Sequence, residues 1–515
     1  MKDKKSIRLK TIIPLSAIVS VLLFVFPSWE TEIMDWYAEK SYDKNMTLTI
    51  NPDEQSDEFS GFGCSSCWWS QIVAASENKE EVAKLLYSKE GLGLNIYRYN
   101  IGAGSADNFK DTISDPWRQT ESFYVYDYET ETGYYDFSRD AEAQEMLDLC
   151  LSYGCIDTVV LFANSPHYSM TLNNKTGGND NWWVCNLPEE NFEAYADYFL
   201  TITEYFIDKG VPVKYISPIN EPNWSWGQGG NPSQEGCFYN SEDIYGVYKA
   251  FAKEIEERDI DVLLSGPESG EIGHRTYEWF EYLYNDSEIR PYLGNLSYHS
   301  YWTDNNVKNK IGLGNWIEEK ITELPVEMSE WCHLPCTSPI DSIDGAILQA
   351  RVVANDINFT GVDSWTAWVG VNGIGIGGDG KEYSDGLLVA NADASEIKIP
   401  MRYYAMAHFT KFIPVGSKVV ETTKNIYDMI EERDAEGNII SANYITNMVS
   451  FLTPDNKVVT VITNEGEDRK VKFKVDRDDM TVYTTTQEKQ LEETYSGDKK
   501  KITIPAKSIT TIVFE

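Results

Sequence analysis

The stretch VKYISPINEP, residues 213–222, places an acidic side chain at the end of a short apolar run. Its first seven residues have the length and composition of a buried strand, and Pro222 ends that strand because proline cannot donate to a ladder. Glu221 therefore lies where the chain leaves a predicted sheet. A second apolar run, PVEMSEW at residues 325–331, brings Glu330 to the end of another predicted strand.

Working outward, eight such runs alternate with longer amphipathic segments, a pattern typical of βα units around a parallel sheet. The amphipathic segments 78–88, 192–209 and 346–357 predict helices; Asn78 and Glu81 have the spacing of a capping box. The predicted strands are residues 61–65, 93–101, 157–164, 213–220, 262–266, 295–299, 325–330 and 362–368. We therefore expect an α/β fold, a (β/α)8 TIM barrel with its catalytic groups at the carboxyl ends of the strands.

Closely spaced β-rich runs after about residue 412 predict an appended antiparallel β-sandwich. Residues 46–50 predict a further strand, which we expect to complete the same sandwich. The predicted divisions are an export signal or N-terminal membrane anchor at 1–30, a linker and first sandwich strand at 31–57, the catalytic barrel at 58–411, and the C-terminal sandwich at 412–515.

The composition excludes some classes of function. Among 515 residues, 44 Lys and Arg face 82 Asp and Glu, giving a formal charge of −38 that would repel nucleic-acid backbones. Aromatic residues make up 13% of the chain. Their flat faces suit sugar rings, although they are equally good core residues. We expect no nucleic-acid partner.

The N-terminus resembles an export segment. Five basic residues precede an apolar run at 11–29, the order that export machinery recognises. The run lacks a clean cleavage site and approaches the length of a membrane span, so cleavage and retention as a membrane anchor both stay open. We expect an exported protein that is secreted or attached to the cell surface.

The eight cysteines allow 105 disulfide connectivities, and none follows from the sequence. Cys64 and Cys67 have the spacing of a redox pair, and Cys332 to Cys336 that of half a zinc site. Neither has the second half of its pattern nearby. With five histidines and no HExxH motif, the sequence predicts no metal centre.

Two carboxyl groups at a barrel mouth fit glycoside hydrolysis. One protonates the leaving oxygen, and the other attacks the anomeric carbon or activates water. A separation of about 5–5.5 Å would indicate retention of configuration, and about 6.5–9.5 Å inversion. Glu221 and Glu330 are the predicted pair. Glu268, after the predicted fifth strand, is a rival that could bind substrate instead.

At this point the sequence resembles glycoside hydrolase family 30, from about residue 59 to the C-terminus. The stretches that carry the resemblance are GFGCSSCWW (61–69), LNIYRYNIG (94–102), FANSPH (162–167), SPINEP (217–222), SYHSY (297–301), MSEW (328–331) and WTAW (365–368). The resemblance implies a retaining β-glycosidase on a barrel with a side β-sandwich. Such an enzyme requires no cofactor, since two carboxylic acids suffice for the reaction.

The resemblance also implies roles for individual residues. Glu221 would be the general acid/base and Glu330 the nucleophile. Asn220 would hold the sugar 2-hydroxyl, and Arg98 and Tyr301 would bond to the nucleophile. An arginine beside the nucleophile would keep it ionised at neutral pH, whereas the acid needs a raised pKa to hold its proton.

Five further residues are candidates for substrate contact. The resemblance implies that Trp368 lines the subsite of the cleaved sugar. Asn164 could orient a hydroxyl, and His299 could contact sugar or act as an orienting donor. Trp224 and Trp226 could form aromatic subsites in a loop at the mouth, or could pack that loop against the barrel.

The substrate prediction rests on the loop motifs NWSW (223–226), QEGC (234–237), CWW (67–69) and PWR (116–118). These look most like the endo-β-1,6-galactanase branch, which cuts arabinogalactan side chains. A β-1,6-glucanase, a xylanase and a glucosylceramidase-type enzyme remain alternatives with the same carboxylate pair. An inactive carbohydrate-binding protein at the cell surface is the non-enzymatic alternative, against which the intact glutamates argue.

Overall fold

The computed structural model describes residues 10–11, 45–113, 115–227 and 232–515. The predicted export segment lies outside the described residues apart from the backbone of positions 10 and 11. Within the described ranges, no helix is both long enough and apolar enough to cross a membrane.

Eight parallel strands close into the predicted barrel. Neighbouring strands are paired in parallel register around the ring, and the eighth strand pairs with the first through Ser364 opposite Gly61 and Ala367 opposite Cys64. In order, the strands are Gly61–Ser65, Ile96–Asn100, Thr158–Phe162, Val213–Ser217, the interrupted pair Leu263–Leu264 and Pro267–Ser269, Leu296–His299, Val326–Glu330 and Ser364–Ala367. We number them barrel strands 1 to 8, and the prediction of a TIM barrel is confirmed.

Helices follow every barrel strand and cover the outside of the ring. Their buried faces are mainly apolar, as the amphipathic pattern predicts. They are Trp69–Ala74 and Lys79–Tyr87 after strand 1, then Ala141–Ser152, Phe192–Asp208, Ser241–Arg258, His274–Asn285, Val307–Lys320, Ile343–Asn355 and Met401–Thr410. The predicted capping box at residue 78 is wrong: Asn78 precedes the helix but makes no cap, because its amide donates to the carbonyl of Ala394 instead.

Barrel strand 5 departs from the sequence prediction. The expected strand at 262–266 forms two short pieces instead, broken at Ser265 and Gly266. Gly266 has φ 153°, and a Cβ there would come within 1.5 Å of the Tyr248 hydroxyl, so only glycine fits. After this break, Glu268 lies within the strand rather than beyond it, and its side chain is fully buried.

The C-terminal domain is rich in β-strands, as predicted. Its main strands are Met46–Glu58, Lys418–Lys424, Thr446–Leu452, Val458–Asn464, Arg469–Lys474, Met480–Thr485, Glu492–Gly497, Lys501–Ile504 and Ser508–Phe514, with a separate hairpin of Met429–Arg433 and Ile439–Tyr444. The upstream strand joins this sheet, as expected. The sheet is mainly antiparallel, but two pairings in it are parallel: residues 46–49 with 471–474, and residues 10–11 with 423–424.

An aromatic contact chain joins the sheet domain to the barrel. Phe59 lies 4.8 Å from Phe62 of barrel strand 1 and 5.6 Å from Phe451 of the sheet, measured between ring centroids. Phe62 in turn lies 6.0 Å from Phe409. All four rings are buried in one hydrophobic core, so the two domains pack through a shared apolar interface.

The remaining elements are short and lie in the loops between barrel strands. The hairpin of Tyr124–Asp127 and Thr132–Tyr135 follows strand 2. Five short strands follow strand 8: Val371–Gly373, Gly375–Ile376, Glu382–Tyr383, Leu388–Ala390 and Ile397–Lys398. They build the walls around the carboxyl ends of the barrel strands, where the site lies.

Candidate active site

The two predicted carboxylates face one another at the carboxyl end of the barrel. Glu330 is the last residue of strand 7, and Glu221 lies four residues beyond the end of strand 4. One oxygen of each carboxyl group lies within 4.8 Å of the other. Both side chains are buried among other residues of the mouth.

The backbone at Glu221 is held in a conformation that few residues adopt. Its φ is 45°, in the left-handed region, which costs a non-glycine residue about 1 kcal/mol. Two neighbours fix it there: the Glu221 N–H donates to the carbonyl of Glu268 at 3.0 Å, and the indole of Trp226 donates to the Glu221 carbonyl at 3.2 Å. Such strain is typical of residues placed for function.

Two donors hold the Glu330 carboxylate. Arg98 Nη1 donates to Oε2 at 2.8 Å, and the Tyr301 hydroxyl donates to Oε1 at 3.0 Å. The guanidinium carbon of Arg98 also lies 3.4 Å from the ring centroid of Phe162, a cation–π contact. The structure thus brings both predicted partners of Glu330 to it.

His299 connects the two carboxylates to a third. Its Nδ1 lies 3.2 Å from Glu221 Oε1, and its Nε2 lies 2.8 Å from Glu268 Oε2. Nδ1 is also 3.7 Å from Glu330 Oε1. The imidazole is fully buried, and both ring nitrogens are engaged, so it fits the orienting role better than contact with sugar. We call Arg98, Glu221, Glu268, His299 and Glu330 the Glu330 cluster.

The charges of this cluster shift the acidity of its members. Burial raises the pKa of Glu330 to about 7, and the nearby carboxylates add to the effect. His299 and Arg98 oppose that rise without cancelling it. Arg98 therefore acts on Glu330 in the expected direction but does not keep it fully ionised at neutral pH.

The pKa values of Glu268 and His299 shift against the direction that burial favours. Burial disfavours an ionised Glu268, but Arg98 and His299 outweigh it and lower the pKa of Glu268 to about 2. Burial likewise disfavours a charged His299, but the surrounding carboxylates outweigh it and raise the imidazole pKa to about 10.

A charge count follows from these acidities. Three carboxyl groups face two cations, Arg98 and protonated His299, so at neutral pH the cluster retains one carboxyl proton. Glu268 is too acidic to hold it. Glu330, whose pKa is raised to about 7, can hold it.

The same atoms also satisfy the spacing of a metal site, since one ligand atom from each of Glu221, His299 and Glu330 lies within 4.8 Å of the others. The surroundings do not fit a cation. A guanidinium lies 2.8 Å from Glu330, and His299 is directed at carboxylates through both nitrogens. Fixed positive charge at that distance would repel a divalent ion, so the residues form a hydrogen-bonded network.

A chain of amides lies beside the carboxylates. Asn220 Oδ1 accepts from Arg98 Nη2 at 2.8 Å, and Asn220 Nδ2 donates to Asn164 Oδ1 at 3.2 Å. Asn164 Nδ2 donates in turn to Asn100 Oδ1 at 3.1 Å. An amide nitrogen carries two N–H groups, so Asn220 keeps one donor for a ligand hydroxyl.

The tryptophans of the loop after strand 4 have different surroundings. Trp224 is half-buried beside the carboxylates: its ring centroid is 6.2 Å from that of Trp302, and its indole nitrogen is close to Gly270. Trp226 packs the loop, because its indole bonds to the Glu221 carbonyl and its ring covers Gly236. The structure thus favours an aromatic subsite at Trp224 and loop packing at Trp226.

Trp368 lies on the opposite wall, after strand 8. It is largely buried, and its ring meets that of Trp68 edge-on with centroids 5.3 Å apart. Arg118 lies over the Trp68 ring at 5.1 Å. The CWW and PWR motifs of the sequence therefore meet on this wall.

Sequence reasoning undervalued one member of the site and missed others. The sequence suggests Glu268 as a rival carboxylate, whereas in the structure it is one of the three buried carboxyl groups that favour a charged His299. Ser329, which donates to Glu268 at 2.5 Å, was not singled out. Trp302, at 57% exposure, and the neighbours Trp182 and Trp183, at 49% and 57%, were also missed. The positions of these tryptophans in the loop sequences do not indicate that their side chains are exposed.

Comparison with known proteins identifies the family of the chain. The profile of O-Glycosyl hydrolase family 30 matches residues 45–389, and that of the Glycosyl hydrolase family 30 beta sandwich domain matches residues 440–512. The first match alone covers more than half of the chain.

Individual relatives are distant. An endo-β-1,6-galactanase of Hypocrea rufa is 22% identical over 73% of this chain and 76% of its own length. A candidate glucosylceramidase of Caenorhabditis elegans, glucosylceramidase 1, is 25% identical over 53% of this chain and 49% of its own. The solved structure of a conserved exported protein from Bacteroides fragilis has a TM-score of 0.74 at 24% identity, covering 91% of this chain and all of that one. The barrel with its β-rich domain and the family match together establish that the chain belongs to glycoside hydrolase family 30.

Proposed function

We propose that this protein is a retaining, endo-acting hydrolase of β-1,6-galactan side chains, with Glu330 as nucleophile and Glu221 as general acid/base. The observation that carries the retaining mechanism is the approach of the two carboxyl groups, whose oxygens lie within 4.8 Å. A direct displacement by water needs a wider gap, about 6.5–9.5 Å, to admit the water.

In the first step, Glu330 attacks the anomeric carbon while Glu221 gives its proton to the departing glycosidic oxygen. The C–O bond to the leaving sugar breaks as the ester bond to Glu330 forms. Tyr301 and Arg98 orient the attacking carboxylate, and the free N–H of Asn220 is placed for the sugar 2-hydroxyl.

In the second step, water attacks the same carbon and Glu221 takes its proton. Esterification removes the negative charge of Glu330, so the remaining carboxyl groups, Glu221 and Glu268, are balanced by Arg98 and His299. Glu221 can then be ionised without leaving surplus charge in the cluster, which suits a general base. The ester is hydrolysed and Glu330 is restored.

The substrate assignment rests on similarity and on the walls of the mouth. The galactanase of Hypocrea rufa matches over three quarters of its length. Trp224 and Trp302 beside the carboxylates, with exposed Trp182 and Trp183 farther along, provide aromatic surface of the kind that several successive sugars occupy. An enzyme that binds several sugars on both sides of the cleaved bond cuts internally. We further propose export to the cell surface or medium, on the N-terminal pattern.

The substrate assignment is tested by digesting de-arabinosylated arabinogalactan and, in separate reactions, pustulan, xylan and glucosylceramide. We expect a ladder of short galacto-oligosaccharides early in the time course and little product from the other three. A single product size would contradict endo action. Faster cleavage of pustulan, xylan or glucosylceramide would replace the substrate assignment while keeping the family.

The test of the mechanism uses the variant Glu330→Gly with azide. We expect azide to restore glycosyl transfer by occupying the space of the lost carboxylate, giving a glycosyl azide of inverted configuration. As a matched control, azide should not give that product with Glu268→Gly, because Glu268 does not attack the sugar in this mechanism. The same product from the Glu268 variant alone would reverse the assignment of the nucleophile.

A further inference from the structure

Two cysteines on neighbouring loops of the barrel mouth have thiols in contact. Cys185 follows barrel strand 3 and Cys237 follows strand 4, and their side chains hydrogen-bond to each other. Both are free thiols in the structure. Cys185 retains 8% exposure, beside exposed Val184, whereas Cys237 is fully buried.

The backbones of the two loops are already joined at this point. Gly177 and Gly236 form a parallel bridge, in which the Gly236 N–H donates to the Thr176 carbonyl at 2.9 Å. On the other side, the rings of Trp183 and Phe238 meet edge-on with centroids 5.5 Å apart. Because contacts on both sides fix the segments, a covalent bond between the thiols requires little backbone movement, which is the usual obstacle to a disulfide.

We propose that Cys185 and Cys237 form a disulfide that ties the loop at 171–187 to the loop at 232–239 when the protein meets an oxidising disulfide such as glutathione disulfide. Cys185, the more exposed of the two, loses its thiol proton and attacks that disulfide, forming a mixed disulfide and releasing one small thiol. The thiolate of Cys237 then attacks the Cys185 sulfur and releases the second. The protein loses two protons and two electrons, and the oxidant becomes two thiols.

The contact between the two side chains suits the second of these attacks. Cys185 and Cys237 are hydrogen-bonded to each other before oxidation, so Cys237 lies beside the sulfur that it attacks. The thiolate is the nucleophile in exchange, so Cys237 loses its proton in this step.

The bond would connect two functional parts of the mouth. The first loop carries the exposed tryptophans 182 and 183. The second includes Gly236, on which Trp226 packs, and Trp226 bonds to the carbonyl of Glu221. The disulfide would thus stabilise the exposed aromatic wall relative to the backbone of the proposed acid. This inference concerns the covalent state of the chain and does not depend on the sugar that is cleaved.

Peptide mapping of the full-length protein tests the proposal directly. After incubation with a glutathione disulfide buffer, the protein is denatured, alkylated without reductant, digested and analysed by mass spectrometry. We expect a cross-linked peptide pair containing residues 185 and 237, separated by reductant. Half-buried Cys155 serves as the internal control and should be alkylated throughout. Alkylation of both Cys185 and Cys237 without reductant, or linkage of either to another cysteine, would overturn the proposal.

Thermal unfolding gives a second measurement. We expect reductant to lower the Tm of the oxidised protein by about 3 °C, the effect of losing one disulfide in a chain of this size. The double variant Cys185→Ser/Cys237→Ser should lose that response, and Cys155→Ser should keep it. An equal response to reductant in the double variant and the unaltered protein would refute the link.

Discussion

The sixth barrel strand contributes to two buried charged clusters that differ in their balance. His299, on the inside, belongs to the Glu330 cluster. Its neighbours Tyr298 and Ser300 donate instead to Asp356, at 3.0 and 2.9 Å, on the outside of the barrel. We call this second group the Asp356 cluster; it consists of Tyr298, Ser300, Lys310, Asp356 and Trp365.

The Asp356 cluster is complete in charge and in hydrogen bonds. One cation, Lys310, meets one anion, and three neutral donors occupy the remaining acceptor positions of the carboxylate. In the Glu330 cluster, three carboxyl groups meet two cations, so one carboxyl group has no cation to balance it. A balanced buried cluster holds a structure in place, whereas a cluster with one surplus carboxyl group can move a proton at little cost.

The largest expected difference between the clusters comes from Glu330→Gln. We expect kcat/KM to fall by about 10⁴–10⁶-fold, the loss typical of removing a nucleophile. The folded-state pKa of Glu330, about 7, lies above its ordinary value, so an ionised Glu330 opposes folding as the pH rises through 7. The variant should therefore be more stable than the unaltered protein at pH 8, by about 1–3 kcal/mol.

The measurement combines kinetics on β-1,6-galactan with urea unfolding at pH 5 and pH 8. The stability gain should be largest at pH 8 and shrink at pH 5, where Glu330 is protonated. A variant that loses activity together with stability at both pH values would mean that Glu330 is structural, and the contrast with Asp356 would disappear.

The opposite pattern is expected for Asp356→Asn. Removing the anion leaves Lys310 buried without a charged partner, which typically costs about 3–5 kcal/mol. Urea unfolding measures this loss. Because no member of the Asp356 cluster bonds to Glu221 or Glu330, kcat per folded molecule should change by less than about threefold, a difference below 1 kcal/mol. A catalytic loss comparable to that of Glu330→Gln would show that the clusters are coupled through strand 6.

The sequence predicts the positions of those site residues that lie at or just beyond the end of a barrel strand. Glu330 ends strand 7 and Glu221 follows strand 4, so their convergence follows from parallel strands closing into a ring. Glu268 was misplaced because the break at Gly266, which depends on the approach of the Tyr248 hydroxyl, has no local signal. The charge on His299 could not be predicted because it depends on three carboxyl groups that come from three other βα units of the barrel.

Contacts between loops were equally hidden. The sequence allows many cysteine pairings, and only the structure shows that the loops carrying Cys185 and Cys237 are neighbours. The sequence allows Trp226 either to form a sugar subsite or to pack the loop. The hydrogen bond from its indole to the Glu221 carbonyl favours loop packing. The sequence of a loop gives its residues, but the order of the strands around the barrel determines which loops are neighbours.

Arg98→Met tests the charge balance through pH. Removing a cation that favours ionised Glu330 should raise the pKa of Glu330 further above 7, so the acid limb of kcat/KM moves to higher pH, by about one unit. At pH 7, activity should fall about 10²-fold, because the fork that orients the nucleophile is also lost. Arg98→Lys is the matched control: it keeps the charge and should keep the limb near its original position. A limb that moves to lower pH would contradict the charge assignment.

The smallest effect is expected for Ser329→Ala. Ser329 donates to Glu268 Oε2, His299 Nε2 lies 2.8 Å from the same oxygen, and Arg98 forms an ion pair with it at 3.2 Å. Loss of a hydrogen bond to a charged group costs about 1.5–3 kcal/mol, equivalent to about one to two pKa units. Because the pKa of Glu268 starts at about 2, Glu268 should stay ionised at neutral pH and His299 should stay charged.

Activity of Ser329→Ala should therefore change less than about threefold at pH 7, since a loss of under 1 kcal/mol is expected there. The variant should differ from the unaltered protein only in acid. A depressed carboxyl pKa stabilises the fold above the ordinary value and loses that contribution as the pH falls through the folded value, so acid unfolding should begin at higher pH. If Ser329→Ala lost activity at pH 7, the pKa of Glu268 would have risen far enough for Glu268 to hold the surplus proton of the Glu330 cluster.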